Sequence, residues 1–140
     1  MDVLVYSGDG ELVEALREAL GDEYRVRSAP TERQLQSAFA SGRAGAVILD
    51  GKAPRVAAMC LWLRMGAEVP IVAIAAGDQV AERVRLLRAG ADDVLKRSFQ
   101  PAELVARLNA KLRRTELEQR RRAARLPHTP LGCAADRAVL

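Results

Sequence analysis

At 140 residues and 49% hydrophobic side chains, the chain is long enough for one compact domain with a short extension. No stretch approaches the ~20 unbroken apolar residues of a membrane span, and Met1-Asp2-Val3 lacks the basic-then-apolar build of a signal peptide, so a cytoplasmic protein with no membrane partner is expected. The formal charge of +4 is unevenly spread: residues 1–106 carry 13 Lys+Arg against 15 Asp+Glu, which leaves a net positive charge of six on residues 107–140.

Val3-Leu4-Val5-Tyr6 reads as a short buried strand, closed by the turn Ser7-Gly8-Asp9-Gly10. Leu12, Ala15, Leu16, Ala19 and Leu20 then recur at helical spacing until Gly21. Tyr24-Arg25-Val26-Arg27 alternates as a half-exposed edge strand does, and Pro30 is expected to start a second helix, through Leu35, Ala38 and Phe39, that stops at Gly42. Ala46-Val47-Ile48-Leu49-Asp50 is the stretch on which the rest is organised. It reads as a buried parallel strand ending in a carboxylate, which is where open α/β sheets keep their working residues.

Val56, Met59, Cys60 and Leu63 give a third helix one apolar face, with Trp62 off that stripe. Pro70 to Ala75 is a fourth buried strand, followed by a helix from about Asp78 to Arg88, the turn Gly90-Ala91-Asp92-Asp93, and a short strand Val94-Leu95-Lys96. A long helix opened by Pro101 carries Leu104, Leu108 and Leu112 at i+4 spacing. Five strands, each followed by a helix-length segment, predict a doubly wound parallel α/β sheet. The helical pattern stops past Leu126, and Pro127-His128-Thr129-Pro130 has the composition of a linker. Neither His128 nor the cysteines have site spacing; Cys60 is expected as a reduced core thiol. The arginines at 113, 114, 120, 121, 122 and 125 lack interleaved aromatics and are broken by Glu116 and Glu118, so they read as a solvated linker helix.

Placed on these elements, the residues resemble a known family. Val47-Ile48-Leu49-Asp50 with Pro54, Ala89-Gly90-Ala91-Asp92-Asp93 leading to Phe99, and Pro101-Ala102-Glu103-Leu104-Val105-Ala106-Arg107 ending in Arg113-Arg114 are similar to the CheY-like receiver domain of two-component response regulators, the OmpR/PhoB subfamily in particular. The resemblance implies a five-stranded sheet of order 2-1-3-4-5 over residues 1–114, a helical extension and linker over 115–130, and, over 131–140, the start of a C-terminal winged-helix DNA-binding domain that this chain does not complete. DNA would then be met through a domain outside this chain.

The resemblance makes Asp50 the phosphoacceptor and also exposes what is missing around it. The family holds Mg²⁺ with two acids after the first strand, and here these positions read Ser7 and Gly8, with Asp9 just beyond. The family's Thr or Ser after the fourth strand is Ala75, its fifth-strand aromatic is Val94, and its Lys-Pro pair is Arg97-Ser98. One displaced carboxylate beside Asp50 is a poor site for a hard cation, so no metal and no other cofactor is expected. Arg97 keeps the positive charge and is expected to lock an unphosphorylated Asp50, with its planar fork free to do so bidentately.

The expected function is that of an atypical, non-enzymatic receiver, independent of phosphorylation and of a histidine kinase, that serves a transcription regulator as a dimerisation module. By the resemblance, a homodimer would form through the fourth helix, fifth strand and fifth helix. Its intersubunit ion pairs would be Arg83 with Glu103, Asp93 with Arg107 and Asp92 with Arg114, around an apolar patch of Val84, Leu87 and Val105. Two alternatives stand beside it: a receiver still phosphorylated at Asp50 by a histidine kinase, and a small-molecule-binding flavodoxin-like domain, whose only candidate phosphate loop is Ser7-Gly8-Asp9-Gly10.

Overall fold

The computed structural model describes residues 1–125. In chain order the elements are β1 (Asp2–Tyr6), α1 (Gly10–Leu20), β2 (Arg25–Ala29), α2 (Glu32–Ala40), β3 (Ala44–Asp50), α3 (Val56–Gly66), β4 (Ile71–Ile74), α4 (Val80–Arg88), β5 (Asp93–Leu95) and α5 (Pro101–Arg125). All strand pairs are parallel, as the sequence pattern predicts, and the order is β2-β1-β3-β4-β5, as the family resemblance implies. No helix of the described residues is long and apolar enough to cross a membrane.

Period-two alternation along the strands divides the core into two layers. Leu4, Tyr6, Val47, Leu49, Ile71 and Ala73 point to α2, α3 and α4, where Leu35, Met59, Cys60, Leu63 and Leu86 meet them. Val3, Val5, Ala46, Ile48, Val72 and Ile74 point the other way, against Val13 and Leu16 of α1 and Leu104 and Leu108 of α5. From Ala46 to Asp50 β3 is buried on both faces, so its run of apolar residues is continuous rather than alternating.

Several expected boundaries shift, each for a local reason. Thr31, not Pro30, caps α2: the Thr31 hydroxyl accepts the Gln34 N–H at 3.2 Å and donates to the Gln34 side chain at 3.0 Å. β2 runs to Ala29 because it pairs with the whole of β1, which leaves Tyr24 outside the strand. Asp2 pairs with Ala44, so β3 begins two residues earlier than its apolar run. Trp62 lies off the apolar stripe of α3 yet is half-buried, packed edge-on against Phe39 with ring centroids 5.6 Å apart. α5 continues past Arg114 to Arg125 without a break, and the linker and C-terminal readings for 126–140 fall outside the described residues.

Candidate functional site

The carboxyl edge of the sheet brings the end of β3 between the ends of β1 and β4, within reach of the Arg97 side chain from the loop after β5. Asp50 and Ser7 are the two buried polar residues among those described, 2% and 1% exposed. A carboxylate so far from water must be paired or hydrogen-bonded, and every approach to Asp50 supplies a donor. Oδ1 accepts the Lys52 N–H at 2.9 Å and Arg97 Nη1 at 2.6 Å; Oδ2 accepts the Ser7 hydroxyl at 2.7 Å. Ser7 Oγ in turn accepts the Asp9 N–H at 3.0 Å. Burial pushes the Asp50 carboxyl up, but the Arg97, Ser7 and Lys52 hydrogen bonds and the Arg97 charge outweigh it and hold the group below its ordinary value of 3.8.

Arg97 does not close on Asp50 with both ends of its fork. Nη1 takes Asp50, while Nη2 lies 3.7 Å from Asp9 Oδ2, so one guanidinium bridges two carboxylates. The Asp9 side chain also caps α1, its Oδ1 accepting from Glu11 N at 3.0 Å and Leu12 N at 3.2 Å.

The residues present do not fit the Mg²⁺ that the family resemblance would bring beside an acceptor aspartate. Ser7 offers a hydroxyl already spent on Asp50, Asp9 is committed to the helix cap and to Arg97, and a guanidinium faces both carboxylates. Among the described residues no group of three or more His, Cys, Asp or Glu is placed to hold a metal. The other side of the pocket is closed by a residue the sequence reading missed. Glu82, in the first turn of α4, accepts the Ala76 N–H at 2.6 Å and the Gly77 N–H at 3.1 Å. Gly51 lies under it: a Cβ there would stand 2.7 Å from Ala76 N, Glu82 Oε2 and Ile74 O. Ala75 contributes no hydroxyl, and its carbonyl lies 3.5 Å from Arg97 Nη1. Gly8 is open, with nothing within 4 Å of where a Cβ would be.

The outer face made by α4, β5 and α5 is arranged differently. Val84 and Leu87 are 37% and 48% exposed, and Val80, on the same stripe of α4 but not picked out in the sequence, is 62% exposed. Val105 is half-buried and turns partly into the inner cluster. Arg107 reaches Asp93 of its own chain at 2.9 Å and Glu103 at 3.3 Å, so the charges expected to pair across a dimer already pair within one chain. Arg83 and Glu103 line one shallow groove of about 450 Å³ with Val94 and Phe99, and make no ion pair with each other.

Asp92 is held inward as well. Its Oδ2 accepts Arg64 Nη2 at 2.8 Å and the Ile71 N–H at 2.7 Å, while Arg114 only lines a groove near it. Arg64 is a bracket that the sequence did not reveal, because apart from Asp92 its partners are backbone carbonyls. Nε and Nη2 bond Gly90 O at 3.1 and 2.7 Å, and Nη1 bonds Val69 O at 3.1 Å, tying the end of α3 to the start of β4 and the turn into β5. Cys60 lies fully buried beneath, its thiol pushed up to about 11 chiefly by burial.

A five-stranded parallel sheet in this order with an aspartate at the end of its third strand is the arrangement expected of a receiver, and the response regulator receiver domain pattern matches residues 3–109. The chain belongs to that family. It is 42% identical over 117 residues to the response regulator MprA of Mycolicibacterium vanbaalenii, covering 81% of this chain and 51% of that protein. It is 40% identical over 120 residues to the response regulator MprA of Mycobacterium tuberculosis, covering 83% and 52%. The chain therefore spans about half the length of the curated relatives it matches. Among solved structures, the BeF3-activated N-terminal receiver domain of Klebsiella pneumoniae RstA is 26% identical with a TM-score of 0.75, covering 81% of this chain and 99% of that one.

Proposed function

We propose that this receiver works without phosphorylation, as the dimerisation module of a cytoplasmic transcription regulator of OmpR/PhoB type whose DNA-reading domain lies beyond the described residues. The observation that carries the first half is the Asp50 carboxylate itself, with both oxygens hydrogen-bonded and a guanidinium 2.6 Å away. Phosphoryl transfer works by positioning the donor and neutralising charge, usually with a divalent cation. Here the neutralising charge is built into the chain, and it is already paired. An acceptor oxygen would have to break a charge-assisted hydrogen bond before attacking, with no metal site to compensate. No histidine kinase is required by such a domain, and no chemistry is turned over.

The second half rests on the exposed stripe of Val80, Val84 and Leu87 beside Arg83, whose charge has no partner among the described residues. A second copy related by a twofold axis would cover that stripe and bring Glu103 to Arg83 twice. Asp92 is tied to Arg64, Asp93 to Arg107, and Glu103 to Arg107 at 3.3 Å within the chain, so Arg83 is the charge on this face that most needs a partner molecule, and Glu103 of a second copy is the acid that the twofold would bring to it. Each exposed pair is worth only ~0.2 to 1 kcal/mol, so a dissociation constant on the order of micromolar is expected. Sedimentation should find a dimer in the micromolar range that is unchanged by acetyl phosphate and Mg²⁺. Arg83→Glu should give monomer, and Arg83→Glu with Glu103→Arg should give dimer again. A parent protein that is monomeric at millimolar concentration, or that dimerises only after phosphorylation, would overturn the proposal.

A further inference from the structure

The far end of α5 is a strongly charged surface that the dimer and the Asp50 pocket leave unused. α5 runs unbroken from Pro101 to Arg125, and from Glu116 onward every residue is exposed. Arg122 is anchored to Glu68 in the connection between α3 and β4, with Nη1 on one oxygen and Nη2 on the other at 2.9 Å. Arg113, Arg114, Arg120, Arg121 and Arg125 make no ion pair among the described residues, although Glu116 and Glu118 lie on the same helix. At about 100° per residue, Arg113 and Arg120 form one ridge, and Arg114, Arg121 and Arg125 a second roughly a quarter-turn round.

We propose that this end of α5 is a sequence-independent contact for the phosphate backbone of duplex DNA. It goes beyond the dimerisation role and does not depend on it. The chemistry favours phosphates over other acidic partners. An anionic membrane would need an apolar face to bury, and Leu117 is the single large apolar side chain between Arg113 and Arg125. An acidic protein surface would need buried aromatic or aliphatic anchors for stable docking, and this stretch has no aromatic. Phosphate oxygens ask only for forked donors held in place, and arginine is the side chain whose planar fork matches them. Arg122 is taken up by Glu68 of the domain body, and the unbroken helix carries the remaining cations on its two ridges. The body itself, residues 1–106, has a net negative charge of two, so duplex would meet the tip of the helix and be repelled elsewhere.

The test is fluorescence anisotropy of the 140-residue protein with a short labelled duplex of arbitrary sequence, titrated between about 50 and 200 mM NaCl. Neutralising about four phosphates should give a log–log salt slope of about −3.6, a loss of affinity on the order of a hundredfold across that range. Arg120→Gln/Arg121→Gln/Arg125→Gln removes three exposed cations without touching the core and should flatten the slope by about 2.7. Glu116→Gln/Glu118→Gln should instead tighten binding. The inference is overturned if the triple variant binds duplex as the parent does at unchanged helicity, or if the parent shows no saturable binding at the lowest salt. It is overturned equally if polyglutamate or phosphatidylserine vesicles bind the parent and duplex cannot displace them, since the partner would then be an acidic protein or a membrane.

Discussion

The pocket around Asp50 and the outer face of α4, β5 and α5 treat charge in opposite ways. In the pocket, one guanidinium, one hydroxyl and one backbone amide close on a single carboxylate. On the face, Arg83 makes no ion pair among the described residues, and Val80, Val84 and Leu87 stay open to water. A receiver that switches needs its acceptor free and lets the outer face respond to it. Here the acceptor carboxylate is hydrogen-bonded from within the chain, while on the face Arg107 is paired with Asp93 and Glu103 but Arg83 and the α4 stripe are left exposed; under the proposed reading the surface acts while the pocket holds shape.

The two regions should break very differently. Arg97→Met removes the cation from a carboxylate that is 2% exposed and leaves it buried with Ser7 and the Lys52 amide alone. Breaking one side of a buried pair costs about 3 to 5 kcal/mol, so urea unfolding should show a loss in that range. Adding Asp50→Ala to Arg97→Met should recover most of it, because the stranded charge goes too. An Arg97→Met variant as stable as the parent would mean that the guanidinium does not hold Asp50.

Acid titration sharpens the same point with a smaller effect. The folded carboxyl lies below its unfolded value, so its contribution is fully present above about pH 4 and is lost only as the pH falls through the folded pKa. In Arg97→Met the main lowering influence disappears while burial remains, so the acid unfolding midpoint should move to higher pH. A midpoint that stays where the parent's lies would contradict this. The smallest effect belongs to the outer face, where Arg83→Glu should leave the unfolding free energy of the monomer within about 0.5 kcal/mol while dispersing the dimer.

Most of the fold could be read from residue pattern because parallel, doubly buried strands announce themselves. Four apolar residues before Asp50 sufficed to place β3, and the i, i+3, i+4, i+7 face of Val56, Met59, Cys60 and Leu63 is the face that α3 buries. The start of α2 was legible too, in Thr31 and Gln34, but Pro30 was the louder signal. Within the site, the charge of Arg97 could be carried over from the resemblance. The splitting of its fork between Asp50 and Asp9 could not, because it depends on where the turn after β1 sets Asp9. Arg64 and Glu82 were illegible for a common reason: both bond mainly to backbone groups of loops, and backbone leaves no trace in residue identity.

The claim that Asp50 is closed to phosphoryl transfer is met head-on by intact mass measurement after incubation with acetyl phosphate and Mg²⁺. The parent protein should keep its unmodified mass, and so should Asp50→Asn. A stoichiometric gain of one phosphoryl group in the parent, absent from Asp50→Asn, would show that the pocket opens despite Arg97 and that this receiver still switches.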